Sequence, residues 1–365
     1  GISATNDSFN IWCPNDSCDF HQGPGLPVQV VDAALYQNPP TILIGTVDKF
    51  ARLAWEEKPG VFFGSDDREP PALIIQDELH LLSGPLGTTV GLYEAAIETL
   101  CEFHGSAPKL LAATATIRDA GSQIQSLYGR NSALFPPAGI DERDSYFTQV
   151  DQERAGRGYL GVLSPNHTPS TSLVRTCAVL LQAPMEVELE PEERDAYWTL
   201  VAYHNSLREL GKSMTFARDD IPAWVHMVAS SPDQESHREL HSDHLLELTG
   251  NVDSNQIPAS LNRLQLSADN DRAVSFAACT NMLSVGVDVP RLGLMLVHGQ
   301  PKTTAEYIQA SSRVGRSETA GLVVTHYSST KPRDRSHYEQ FGSYHRSLYR
   351  WAEPTSVTPF SLQSR

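Results

Sequence analysis

No stretch of this 365-residue chain comes near the ~18 to 20 consecutive apolar residues of a membrane-spanning helix. That reads against a membrane protein. Cysteine is scarce: Cys13, Cys18, Cys101, Cys177 and Cys279 make an odd, sparse set. Such a set excludes a disulfide framework and fits a reducing cytoplasm. Lysine is scarce too, at six of the 28 basic residues. The rest are arginine, whose planar fork suits phosphate and carboxylate. A net charge of -16 argues against nucleic acid as a partner, because phosphate contacts need Lys and Arg, without deciding the matter. It leaves room for a local basic groove. Repeats and low-complexity tracts are absent.

What the chain does have is alternation. Short apolar runs alternate with helical patterns, the signature of a parallel α/β sheet. The runs predict strands at 41–46, 72–75, 109–114, 158–163, 224–230, 273–280, 293–299 and 321–327. Leu86, Val90, Tyr93, Ile97 and Leu100 fall on one helical face. The segment 192–210 opens on acids and runs at helical length. An irregular, Pro- and Gly-rich stretch at 135–158 separates two α/β blocks. The expected division is a first lobe at 1–150, a second at 151–330, and a helical tail at 331–365 packed on the second lobe.

Asp77 and Glu78 follow the apolar run at 72–75. Ligands of α/β sheets bind outside the carboxyl ends of strands. An acid there suits Mg²⁺, and a second can orient water against a γ-phosphate. The plainer alternative is a solvated acidic pair capping a helix. Thr114 and Thr116 lie beyond another strand end. Arg313 and Arg316 are three apart, the spacing of one helical turn, so both could face one pocket and neutralise a transferring phosphoryl group. The plainer alternative there is a basic helix C-terminus stopped by Gly315.

In order and spacing these pieces resemble the superfamily two helicases. "GTVDKF" (45–50) is similar to motif Ib, "DELH" (77–80) to motif II, "TAT" (114–116) to motif III, "CTNMLSVGVDVP" (279–290) to motif V and "QASSRVGR" (309–316) to motif VI. The stretches "IGTVDKFARLAW", "QDELHLLSGPLGT", "YHNSLRELG" and the tail resemble, more narrowly, the DrmA helicases of DISARM anti-phage systems. The resemblance implies two RecA-like lobes with mostly parallel sheets, the first incomplete at its N-terminus. It implies an ATP- and Mg²⁺-dependent DNA translocase working with a DrmB-like partner and a DNA methylase. Asp77 would ligate Mg²⁺ and Glu78 would orient water. Arg313 and Arg316 would meet the phosphate, and His80, Gln309, Gly286 and Asp288 would line the nucleotide. Thr46, Lys49, Thr280 and Asn205, the last within motif IV at 202–210, would touch the nucleic-acid backbone. His80 and the Thr114–Thr116 pair would couple the two surfaces.

One part of such a motor is missing from these residues. None of the six lysines lies in a G-x-x-x-x-G-K-[ST] loop; Lys212 comes nearest, in "GKS", but has Ser206 where the first glycine belongs. The loop is expected before Gly1, so this stretch by itself is expected to bind ATP weakly and hydrolyse it barely. Cys13 and Cys18, with four residues between them, could supply two of four zinc ligands with His21 as a third; the alternative is a turn with two small thiols. Lys331, Arg333 and Arg335 could grip phosphates, and the tail's aromatics read as packing. A helicase-like scaffold that binds without turnover, or an RNA helicase, remain the alternatives; neither polarity nor DNA-versus-RNA choice is written in these motifs.

Overall fold

The computed structural model describes residues 1–21, 23, 25–114, 120–137, 140, 144, 147, 149–151, 153–154, 156–229, 237–280, 288–353 and 357–362. They form two compact units. One holds residues 1–133 and the last segment from 357; the other runs from Leu134 to Glu353. The division falls near 133, ahead of the expected 150. The tail is also split: 332–353 belongs with the second unit, whereas 357–362 belongs with the first.

The first unit opens with a hairpin, β1 (Ile2–Ala4) and β2 (Phe9–Ile11), followed by α1 (Asp32–Gln37) and α2 (Val47–Phe50). A βαβ element follows: β3 (Leu73–Gln76), α3 (Gly84–Phe103) and β4 (Lys109–Ala112), with β3 and β4 parallel, then α4 (Ala120–Tyr128). Val90 and Ile97 of α3 are buried as the helical period predicts, although Leu86 is exposed. Residues 41–46 form no strand, and Ile42 and Ile44 stand exposed. Their β-rich composition finds no neighbouring ladder here, and a strand without a partner has no backbone hydrogen bonds to hold it.

The second unit is a six-stranded, wholly parallel sheet in the order β5-β10-β9-β6-β8-β7. Its elements are β5 (Arg157–Leu163), α5 (Pro169–Glu186), α6 (Pro191–Trp198), β6 (Leu200–His204), α7 (Leu207–Arg218), α8 (Asp220–Val228), β7 (Leu245–Leu248), α9 (Ile257–Leu264), β8 (Phe276–Cys279), β9 (Leu294–His298), α10 (Thr304–Ser311), β10 (Gly321–Tyr327), α11 (Pro332–Glu339) and α12 (Phe341–Arg346). Both faces of the sheet are covered. Leu200 and Ala202 of β6 face the layer of α5, α7 and α8; Val201 and Tyr203 face the opposite cluster with Tyr307 and Ile308.

Two expectations are corrected. The run 192–210 is not one helix: α6 starts with a Glu190/Glu193 capping box, then "LVAYH" becomes β6, and α7 follows. The run is buried on both faces, which a one-sided amphipathic helix would not be. The run from Trp224 is not a strand but the end of α8. Ile221 and Val225, four residues apart, bury one helical face, with Trp224 and Val228 packed beside it.

Candidate functional site

Because β3 and β4 run parallel, their carboxyl ends lie side by side. Asp77 leaves β3, and Glu78 turns into the left-handed region at φ 53°, ψ 44°. Among the described residues no other non-glycine has a positive φ. Such a backbone costs a non-glycine roughly 1–2 kcal/mol, so the surroundings must hold it. Leu79 and Leu82, both buried, anchor the next turn, and the Leu79 N–H donates to Ala113 O across the strand ends at 2.9 Å. The Glu78 N–H donates to Asp77 Oδ1 at 2.9 Å. The buried Gln123 amide donates to the carbonyls of Leu79 (3.3 Å) and Leu82 (3.0 Å). His80 is buried, its Nδ1 3.2 Å from Thr114 Oγ1 and 3.5 Å from Glu78 Oε2. Glu78, His80 and Thr114 are thus brought together, while Thr116 lies outside the described residues. Gln123 belongs to no motif. Its only signal in the sequence is a polar residue beside Ile124 and Leu127, on a helix that needs an apolar face.

The basic turn is built in the second unit. Thr303 caps α10 by accepting the Glu306 N–H at 3.2 Å, and the helix ends at Ser311. Arg313 and Arg316 therefore lie beyond its end and not one helical turn apart, which corrects the spacing argument. Gly315 explains the stop. Its φ is 68°, its N–H donates to Leu292 O at 2.8 Å, and a Cβ there would stand 2.5 Å from the Gly321 backbone. Only glycine fits such a place. Arg157, at the start of β5, holds the turn from beneath: Nε donates to Val314 O (2.7 Å) and Nη2 to Ser312 O (3.2 Å). Arg316 Nη1 meets Asp288 Oδ1 at 2.8 Å, and its Nε donates to Ser312 O at 3.0 Å. Gln309 is buried in α10. Gly286 lies outside the described residues.

The remaining candidates belong to other elements. Asn205 follows β6 and donates its Nδ2 to His298 O (2.9 Å) and Gly299 O (3.2 Å), so that amide hydrogen-bonds the β9–α10 turn. Thr280 follows β8, its N–H 3.4 Å from Leu248 O. Thr46 and Lys49 are exposed at α2, with Lys49 Nζ 3.6 Å from Asp32. Lys331 pairs with Glu209 at 2.9 Å. His204, His298 and His326 share one register row at the carboxyl ends of β6, β9 and β10. Burial pulls His204 down to about 3 and His326 to about 4, so both stay neutral at pH 7. Burial likewise pushes the Cys101 thiol up to about 11 and that of Cys177 to about 12; these two and Cys279 are core residues. Cys13 and Cys18 are half-buried, and both nitrogens of His21 are engaged, Nδ1 with Cys13 O and Nε2 with Asp16, each at 2.9 Å. Among the described residues no group of three His, Cys, Asp or Glu stands so as to hold a metal.

A family model described as the helicase conserved C-terminal domain matches residues 225–318, which contain the basic turn. The DISARM protein DrmA of Bacillus paralicheniformis is 41% identical over 98% of this chain, which spans 35% of that protein's length. Among solved structures, the DUF1998 helicase MrfA bound to DNA superposes with a TM-score of 0.59 at 16% identity, over 87% of this chain and 37% of its own. Lhr helicase of Mycobacterium smegmatis, bound to ssDNA and AMP-PNP, does so at 0.56 and 14%, over 89% of this chain and 36% of its own. The chain spans about a third of the length of each. The chain carries a match to the helicase conserved C-terminal domain, shares the fold of these solved helicases, and over nearly all of its length is similar to DISARM protein DrmA.

Proposed function

We propose that this chain is part of an ATP-driven DNA translocase of a DISARM-type anti-phage system. The observation that carries this reading is the acid turn. A left-handed Glu78 beside Asp77, at the carboxyl end of a parallel strand, is linked through His80 to Thr114. That arrangement fits an acid that holds Mg²⁺ through its water shell, a second that orients the attacking water, and a histidine that passes the state of the turn to the neighbouring strand end. Arg313 and Arg316 would neutralise charge that develops on the γ-phosphate, with Gln309, Gly286 and Asp288 around the nucleotide. The Arg316–Asp288 pair supports one common place for those two residues.

Thr46, Lys49, Thr280 and Asn205 would meet the phosphate backbone of the strand, which makes binding sequence-tolerant and steeply salt-dependent. The Asn205 Nδ2 is already engaged at the β9–α10 turn, and its carbonyl oxygen cannot bond a phosphate oxygen because both are acceptors, so a phosphate contact by Asn205 would require that amide to leave the turn. The phosphate-binding loop would come from chain outside Gly1–Arg365, and so would the contacts to a DrmB-like partner. Zinc at Cys13 and Cys18 would need two ligands from elsewhere.

The test is ATP hydrolysis by the whole protein, with and without single-stranded DNA or RNA, beside its Glu78→Gln variant. DNA-stimulated turnover that falls by about 10²-fold or more in the variant is expected. No turnover with any nucleic acid would withdraw the motor in favour of a binding scaffold. Stimulation by RNA alone would withdraw DNA as the track.

A further inference from the structure

Within the second unit, the start of β5 is fastened to the end of α10. Arg157 and Tyr159 stand two residues apart on one strand, so both side chains point to the same face. The Tyr159 hydroxyl lies 3.4 Å from Oγ of Ser311, the last residue of α10. Arg157 reaches the turn beyond it, donating from Nε to Val314 O at 2.7 Å and from Nη2 to Ser312 O at 3.2 Å. These two carbonyls lie on either side of Arg313. The last carbonyls of a helix have no partner within it and carry the negative end of its dipole, so a guanidinium there meets both needs.

Ser312 O is a shared acceptor. Arg316 Nε donates to the same oxygen at 3.0 Å. The carbonyl that Arg157 holds is therefore one that orients the Arg316 guanidinium, whose Nη1 meets Asp288. Room for the Arg157 stem comes from Gly321, its register partner on β10. A Cβ on Gly321 would stand 3.1 Å from Arg157 Cγ and 3.0 Å from Gly315 Cα. Val314 is buried and anchors the turn on the core side.

We infer that Arg157 is a positioning residue for the basic turn, whose fork orients Arg313 and Arg316 by holding the carbonyls of Ser312 and Val314. It belongs to none of the helicase-like stretches of the sequence. A lysine in its place would keep the charge and most of the stem. Its ammonium is a point donor without the planar fork that spans two carbonyls.

This inference rests on the proposed motor, in which Arg313 and Arg316 neutralise charge that develops on the γ-phosphate. A residue that acts through them bears on the transition state more than on ATP binding. The test uses the whole protein with Arg157→Lys and Arg157→Ala. Both should lower kcat for DNA-stimulated ATP hydrolysis by about tenfold, with KM for ATP within about twofold. Added methylguanidinium should restore part of the Arg157→Ala rate, and methylammonium should not. Amide exchange at Gly315, whose N–H is bonded to Leu292 O, should quicken in both variants while exchange along β9 stays as in the parent. Variants that keep the parent's kcat and its Gly315 exchange overturn the inference. So does a loss that methylguanidinium leaves untouched while exchange quickens along β9 as well, because Arg157 would then serve stability alone. A parent without turnover overturns the motor instead, and Gly315 exchange in Arg157→Lys then decides whether the fork holds the turn.

Discussion

Glu94, on α3 one turn before Glu98, offers a sharp test of the first unit's electrostatics. Burial first, and the nearby Glu98 carboxylate second, raise its carboxyl from 4.5 to about 7. Glu98 is itself paired with Arg130, whose Nε donates to it at 2.8 Å, so burial is the main cause. A shift of that size corresponds to roughly 3 kcal/mol between the protonated and ionised forms. Part of that is screened at a group that is not fully enclosed, which leaves about 1–3 kcal/mol. The sign follows from linkage. The folded state holds the proton more tightly than the unfolded chain. The stabilisation is therefore complete below about pH 4.5 and lost as pH rises through about 7. Glu94→Gln keeps the shape and removes the ionisation. It should stabilise the first unit by about 1–3 kcal/mol at pH 8 and by about nothing at pH 4.5. Urea denaturation at both pH values, read by amide exchange along α3, measures this unit by itself. A variant that is neutral or destabilised at pH 8 refutes the reasoning.

Two further changes probe the second unit. Arg291 is largely buried and makes a fork to Asp195, with Nε and Nη2 at 3.0 and 2.9 Å from its carboxylate oxygens. Asp195→Ala leaves that guanidinium without its counter-charge and should cost about 3–5 kcal/mol, read as a lower urea midpoint for this unit; a loss below about 1 kcal/mol would show the pair to be dispensable. Gly315→Ala forces a Cβ into the Gly321 backbone at a left-handed φ. It should lower the melting temperature and, in the whole protein, reduce ATP turnover, because the turn that carries Arg316 must shift; parent-like melting and turnover would mean that the turn is adaptable.

Some of this was legible from residue types alone. The order of the acid pair, the threonines and the arginines needs no coordinates, because residue type and spacing are read directly from the chain. Most β-rich runs became strands because branched side chains suit a pleated, buried surface. Other parts were not legible. The run 224–228 and the run 200–204 have similar composition, yet one is the end of α8 and the other is β6, and only the neighbours each finds decide which. The spacing of Arg313 and Arg316 suggested a helical face, but Gly315 is pressed against Gly321 and ends the helix first. Asn205 reads as a nucleic-acid contact, and that reading gave no sign that its amide fastens a turn 93 residues away.

The sequence by itself determined the inventory: which acids, arginines and glycines are present, in what order, and an alternation that yields a parallel sheet. Those follow from side-chain chemistry and from periodicities of two and 3.6 residues. Only the tertiary structure decided how each is held. Gln123 under the acid turn, Arg157 under the basic turn and Glu353 at the start of α10 bond to carbonyls, amides or hydroxyls 41 to 157 residues distant. No local pattern encodes such partners, because backbone donors and acceptors look alike in every residue and are chosen by the fold that brings them near.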